Sequence, residues 1–290
     1  MNKKLVLGII LTAASLFATP INNVYADSYK SVTIGADLTN QQKQNMLKYF
    51  NVDSNSASVV EVTSTEEKKY LGDTVSKGQL GNKSISCSYI EPTTTGGLVV
   101  NTHNVTWVNA SMIKNALITA GIENANVKVS APFTVSGTAA MTGILKGFEN
   151  SKDGKKLDEN TKKTANEEVA VTGKLGEKIG QDKASGLINE VKSEVIKDKP
   201  KDEEGIKKIV DNVTDNYNYK LSKDDVNNIV GLMTNVNKLN LDYSKVKGQL
   251  EGVASTMKNT LQSDKTKSWF AGVCASIGDF FKGIANSLKS

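Results

Sequence analysis

The spacing of apolar positions changes character near the middle of the chain. Up to about residue 150 short β-rich runs alternate with helical stretches, and beyond it the helical period dominates. In the first part Ala57 to Val62, Ser84 to Glu91, Leu98 to Val108 and Val127 to Ala131 read as strands. A helix starts at Thr39, where Gln42 completes a capping box ahead of Met46, Leu47 and Phe50. Ser64-Thr65-Glu66-Glu67 opens a second helix that stops at Gly72, and Asn109 opens a third that Gly121 closes. Ser136 or Thr134 opens a fourth over Thr138 to Phe148, whose Gly137, Ala139, Ala140 and Gly143 would let it approach a sheet closely. Pro92-Thr-Thr-Thr-Gly96-Gly97 reads as a hairpin connection. The order contains β-α-β-β-α-β, so the expected fold is α+β, beginning with a ferredoxin-like α/β sandwich over residues 27–150.

Lys152-Asp-Gly-Lys-Lys156 is a polar break. Beyond it Leu187, Val191 and Val195 step by four, and Ile206, Ile209, Val210, Val213 and Tyr217 follow one helical face. Ser222-Lys-Asp-Asp225 caps a helix carrying Val226, Ile229, Val230 and Met233, and Val246, Leu250, Val253, Met257 and Leu261 form another stripe. These stripes need partners, so residues 151–264 are expected to form a helical bundle. The last segment, 265–290, differs. Trp269, Phe270, Ile277, Phe280 and Phe281 recur at helical spacing, and Asp279 and Lys282 interrupt the apolar run, which marks an amphipathic rather than a membrane-spanning helix.

Charge sharpens that contrast. The net charge is +5, yet residues 27–150 and 151–264 each hold equal numbers of lysines and acids. Outside the N-terminal Lys3 and Lys4, the excess lies in the tail, where Lys265, Lys267, Lys282 and Lys289 face Asp279 alone. Every base is lysine, so the planar fork that reads phosphates and guanines bidentately is missing, which disfavours nucleic acid as a partner. Lys3 and Lys4, the apolar stretch Leu5 to Ala18 and the Val24-Tyr25-Ala26 site read as a secretory signal peptide over residues 1–26. No cysteine directly follows the apolar stretch, as a lipoprotein would need, and no LPxTG-type sorting motif stands near the C-terminus. The expected location is extracellular, with loose attachment to the cell envelope.

Chemical signatures are sparse. Two cysteines exclude a disulfide scaffold, and one histidine argues against a His-based zinc site. No Walker, EF-hand, HExxH or GxGxxG motif appears, and no metal or cofactor is expected. Cys87 alternates with Ile85 and Tyr89 as a buried small hydrophobe would, although it could pair with Cys274 in an exported protein. Ser136 sits on a strand-to-helix turn like a nucleophile elbow, but Thr134 and Thr138 replace the glycines of GxSxG. Adjacent acids occur at Glu66-Glu67, Glu167-Glu168, Glu203-Glu204 and Asp224-Asp225, and at least two of these pairs lie in first helical turns, where acids favour the dipole.

Several joined motifs carry a resemblance. Gly35-Ala-Asp37-Leu-Thr39, Glu66-Glu-Lys-Lys-Tyr70-Leu-Gly72, Asn104-Val-Thr106, Asn115-Ala-Leu-Ile-Thr119-Ala-Gly121 and Ala131-Pro-Phe-Thr-Val-Ser136-Gly-Thr-Ala-Ala are similar to those of YpuA-like secreted proteins of Gram-positive bacteria, a family with a domain of unknown function. The resemblance is dense over residues 33–150 and looser beyond. It implies an exported protein and supplies no catalytic residues. It also implies that serine commonly stands where this chain has Cys87, which weakens a required disulfide.

The expectation is therefore a secreted, envelope-associated binding or structural module rather than an enzyme. Its contact surface is the tail: Lys265, Lys267 and Lys282 would attract an anionic membrane surface or wall polymer, and Trp269, Phe270, Ile277, Phe280 and Phe281 would insert or dock. Two rival readings are an envelope hydrolase using Ser136 with His103, and an adaptor that binds another envelope protein through residues 151–264.

Overall fold

A computed structural model describes residues 30–52, 57–72, 74–217 and 219–260, with side chains through residue 255. The first half runs β1 (Ser31–Gly35), α1 (Asn40–Phe50), β2 (Ser58–Val62), α2 (Ser64–Leu71), α3 (Lys77–Leu80), β3 (Cys87–Pro92), β4 (Leu98–Val105), α4 (Ala110–Thr119), β5 (Ala125–Val135) and α5 (Thr138–Glu149). The second half is helical: α6 (Glu159–Ile179), α7 (Gln181–Asp198), α8 (Glu203–Asn216), α9 (Lys223–Lys238) and α10 (Tyr243–Thr260). The fold is α+β.

The strand order corrects the ferredoxin-like expectation. Five strands lie in the order β2-β1-β3-β5-β4, and the added strand β1 stands between β2 and β3. β1 runs parallel to β2 and β4 parallel to β5, while β3 is antiparallel to both β1 and β5. The expected hairpin between β3 and β4 is also absent, because β5 inserts between them. The side chains explain the placement. β4 exposes Val99, Asn101 and His103 on one face and suits an edge, whereas β5 buries Ala125, Val127 and Val129.

The two faces of the sheet are packed differently. On one, Met46 and Phe50 of α1 close over Val32, Ile34, Cys87 and Tyr89. On the other, α5 comes unusually near. A Cβ at Gly143 would lie 2.3 Å from Thr33 Oγ1, and one at Gly147 would lie 3.1 Å from Ile90 Cγ2. That approach buries the polar side chains Ser31, Thr33, Ser86 and Ser88. Thr33 and Ser88 satisfy each other by a hydrogen bond between their hydroxyls.

Apolar packing runs across the polar break. Ala165, Val169 and Ala170 of α6 join the cluster built from α4, α5 and the sheet, around Met112, Leu117, Val127 and Ile144. Ile118 of α4 joins the cluster of the helical half, with Leu187, Val191, Val210 and Met233. Trp107, between β4 and α4, is buried and donates from Nε1 to Glu177 Oε1 of α6 at 2.8 Å. Gly173 makes room for it, since a Cβ there would lie 2.3 Å from the indole. A buried ion pair stands at the same junction. Lys192 Nζ of α7 lies 2.8 Å from Glu168 Oε1 of α6, and also donates to Asn115 O and Thr119 Oγ1 of α4.

Among the described residues no helix is long and apolar enough to cross a membrane. The signal segment 1–26 and the tail residues Lys265, Lys267, Trp269, Phe270, Cys274, Ile277, Phe280, Phe281 and Lys282 lie outside the described residues.

Candidate functional site

β5 ends at Val135, and the chain turns through Ser136 and Gly137 into α5. Two features force this turn. Gly137 has φ of 98°, a conformation that disfavours side chains, and a Cβ there would lie 3.1 Å from Val105. The Ser136 carbonyl accepts from the N–H groups of both Trp107 and Val108, so the turn is pinned to the β4–α4 loop. Without a side chain, Gly137 cannot cap the helix it begins. Ser86 Oγ accepts the Ala140 N–H at 2.9 Å, while the Thr138 and Ala139 N–H groups have no acceptor among the described residues.

These atoms open onto a groove of about 550 Å³. Ser136, Gly137, Thr138 and Ala139 form one wall, and α3 with the turn after it, from Gly78 to Lys83, forms the other. The site therefore brings the uncapped first turn of α5, the Ser136 hydroxyl and the Lys83 ammonium to one opening. Such a set suits acceptor oxygens on a ligand.

An acid lies behind this wall. Thr63 and Glu66 close the capping box of α2, one residue before the start expected from the sequence. Burial works against the charge of Glu66, but Lys146 Nζ at 2.6 Å and the Thr63 N–H outweigh it and hold its pKa low. Glu67 instead turns inward and is 1% exposed. Its Oε2 accepts from Thr138 Oγ1 at 3.0 Å, while Oε1 and the neighbouring Ser84 Oγ are buried without a hydrogen bond of good geometry. Burial pushes the Glu67 pKa up to about 7, against the pull of the Ser84 and Thr138 hydroxyls. The groove is thus backed by a carboxyl that changes charge near neutral pH, linked to it through one hydroxyl.

Ser136 lines the groove, as the strand-to-helix reading suggests, but its Oγ lies 3.4 Å from Thr138 Oγ1 rather than beside an imidazole. His103 pairs with Ser130, and Ser130 with Cys87, so His103 shares the sheet face that α1 covers, and its ring stacks on Tyr49 of that helix. α5 packs on the opposite face. The structure does not bring Ser136 and His103 together. Cys87 is a buried free thiol whose pKa burial pushes up to about 12. Among the described residues no three His, Cys, Asp or Glu side chains are grouped to hold a metal. Two members of the adjacent acid pairs are structural surprises: Glu67 and Glu168 are buried. For Glu67 a signal existed, because Leu71 lies one turn on, on the same buried face.

The comparisons agree with this geometry in assigning no reaction. A protein of Bacillus subtilis (strain 168), named as uncharacterized protein YpuA, is 37% identical over 293 residues, covering 99% of this chain and 99% of the relative. No solved structure is significantly similar to this chain. The family model described as "Protein of unknown function (DUF1002)" matches residues 34–253, spanning the sheet, the groove and the helical half, and the chain belongs to that family.

Proposed function

We propose that this protein is an exported, envelope-associated binding module. The groove at the start of α5 takes acceptor oxygens of a wall or surface ligand, and the basic, aromatic tail 265–290 touches an anionic membrane surface or wall polymer. The observation that carries this reading is the uncapped first turn of α5, whose Thr138 and Ala139 N–H groups have no acceptor among the described residues and whose residues line an open groove with Ser136 and Lys83. The tail's contribution is supported by its surplus of lysine and its density of aromatic residues.

The test is co-sedimentation with anionic liposomes and with purified wall sacculi, at low and moderate salt. It uses residues 27–290, the same protein ending at 264, and residues 27–290 carrying Lys83→Glu. The tail deletion should abolish liposome binding, and salt should weaken binding by the intact chain. Lys83→Glu replaces the ammonium of the groove with a carboxylate at an exposed position and should reduce sacculus binding alone. Equal sedimentation of all three proteins would refute the proposal.

A further inference from the structure

A second cleft, sharing no residue with the α5 groove, lies where the two halves meet. It measures about 440 Å³ and is walled by α4, the turn after it, the β3–β4 connection and α10. Its chemistry is unusual in three respects.

The first is Lys114, on α4, which is half-buried in this wall and has no hydrogen-bond or ion-pair partner among the described residues. Burial lowers its pKa, and no neighbouring acid opposes that shift. Lys192, one helix away, is also buried but rests against Glu168, Thr119 and Asn115. Lys114 has been partly removed from water without any such compensation.

The second is Gln249 of α10. Its amide nitrogen donates to the Glu123 carbonyl, which directs Oε1 into the interior, where it is buried without a donor. The third is the open face of α10. A Cβ at Gly248 or Gly252 would meet nothing within 4 Å, so neither glycine is required by packing, although glycine weakens a helix interior. Both line the cleft.

We infer that this cleft binds a small organic anion, with a carboxylate or phosphate group seated between Lys114 and Lys245. The ligand's short apolar part would lie along Leu98, Ile118 and Val253, which also line the space. Lysine ammonium groups act as point charges without a fixed plane, so they accept either oxyanion. Glu123, the one acid among the described lining residues, favours a compact anion seated on the lysine side of the cleft.

The experiment is NMR of the full mature chain with its lysines reductively ¹³C-methylated, the Lys114 signal being assigned by its loss in Lys114→Gln. Inorganic phosphate and butyrate are the probes. Lys114 should titrate below the surface lysines, and either probe should shift its signal saturably and raise its pKa. Lys114→Gln should weaken binding by about tenfold or more in calorimetry. Gly248→Leu, which fills the cleft and improves helix propensity, should abolish the response without lowering the melting temperature. The inference fails if both probes leave Lys114 unmoved, if all lysines shift together as in simple screening, or if Gly248→Leu leaves the response intact.

Discussion

Glu67 and Glu168 are both buried glutamates one helical layer from the sheet, yet their surroundings are opposite. Glu168 meets Lys192 and the Thr119 hydroxyl, so both oxygens are occupied. Glu67 holds a single bond from Thr138, and its second oxygen has none. The first arrangement fastens α4, α6 and α7 to each other. The second leaves an acid able to gain or lose a proton behind an open groove. Burial alone therefore does not mark a functional carboxyl; the number of partners it has been given separates a rivet from a sensitive group.

Removing one partner of the rivet should give the largest effect. Lys192→Met leaves Glu168 buried without its cation and should cost about 3–5 kcal/mol of unfolding free energy in urea titration. The double variant Lys192→Met, Glu168→Leu should recover much of that loss. A single variant within 1 kcal/mol of wild type, on the order of a surface pair, would erase the distinction.

The next effect concerns pH. The Glu67 pKa is raised from 4.5 to about 7, so the folded protein favours the protonated form. The stability this group contributes is fully present below pH 4.5 and is lost as pH rises through about 7. The loss should approach about 3 kcal/mol. Glu67→Gln should remove that slope from stability measured between pH 4.5 and 8. A residual slope should remain from Glu190, whose pKa burial also raises to about 7. An unchanged profile would show that Glu67 is already compensated.

A smaller effect should follow at the link between acid and groove. Thr138→Val removes the hydrogen bond that Thr138 donates to Glu67 and should cost about 1–2 kcal/mol above pH 7, with less effect below pH 5. Carboxyl NMR of the same variant should show the Glu67 pKa rising further. Ser86→Ala, which frees the Ala140 N–H at the helix start, should cost about 1 kcal/mol at every pH.

Local rules were legible where a residue's partner is close in sequence. The Thr39–Gln42 and Ser222–Asp225 boxes and the Asn109 cap are all present. The close approach of α5 through Gly143 is likewise as its small residues suggest. Strand β1 was not read from the sequence: it has five residues, and its Ser31 and Thr33 are buried only because glycines of α5 lie against them. The insertion of β5 between β3 and β4 was hidden as well, since a glycine-rich connection permits pairing without enforcing it. At the groove, Ser136 was visible as a turn residue. Glu67 resembled any acid in a first helical turn, and Ser84 and Ser86 lay in a stretch read only as strand. Their meeting depends on contacts across more than fifty positions.

The exchange of side chains across the polar break has a consequence for how such a gene can change. α6 supplies Ala165, Val169 and Ala170 to the sheet's core, and α4 supplies Ile118 to the helices' core. A recombination breakpoint near codon 150 would leave both products with an apolar strip facing water and Trp107 without its seat against Gly173. Neither fragment could be lent to another protein as a ready-made cassette. The two halves are bound to be inherited together, and substitutions on one side of the seam set which substitutions the other can accept.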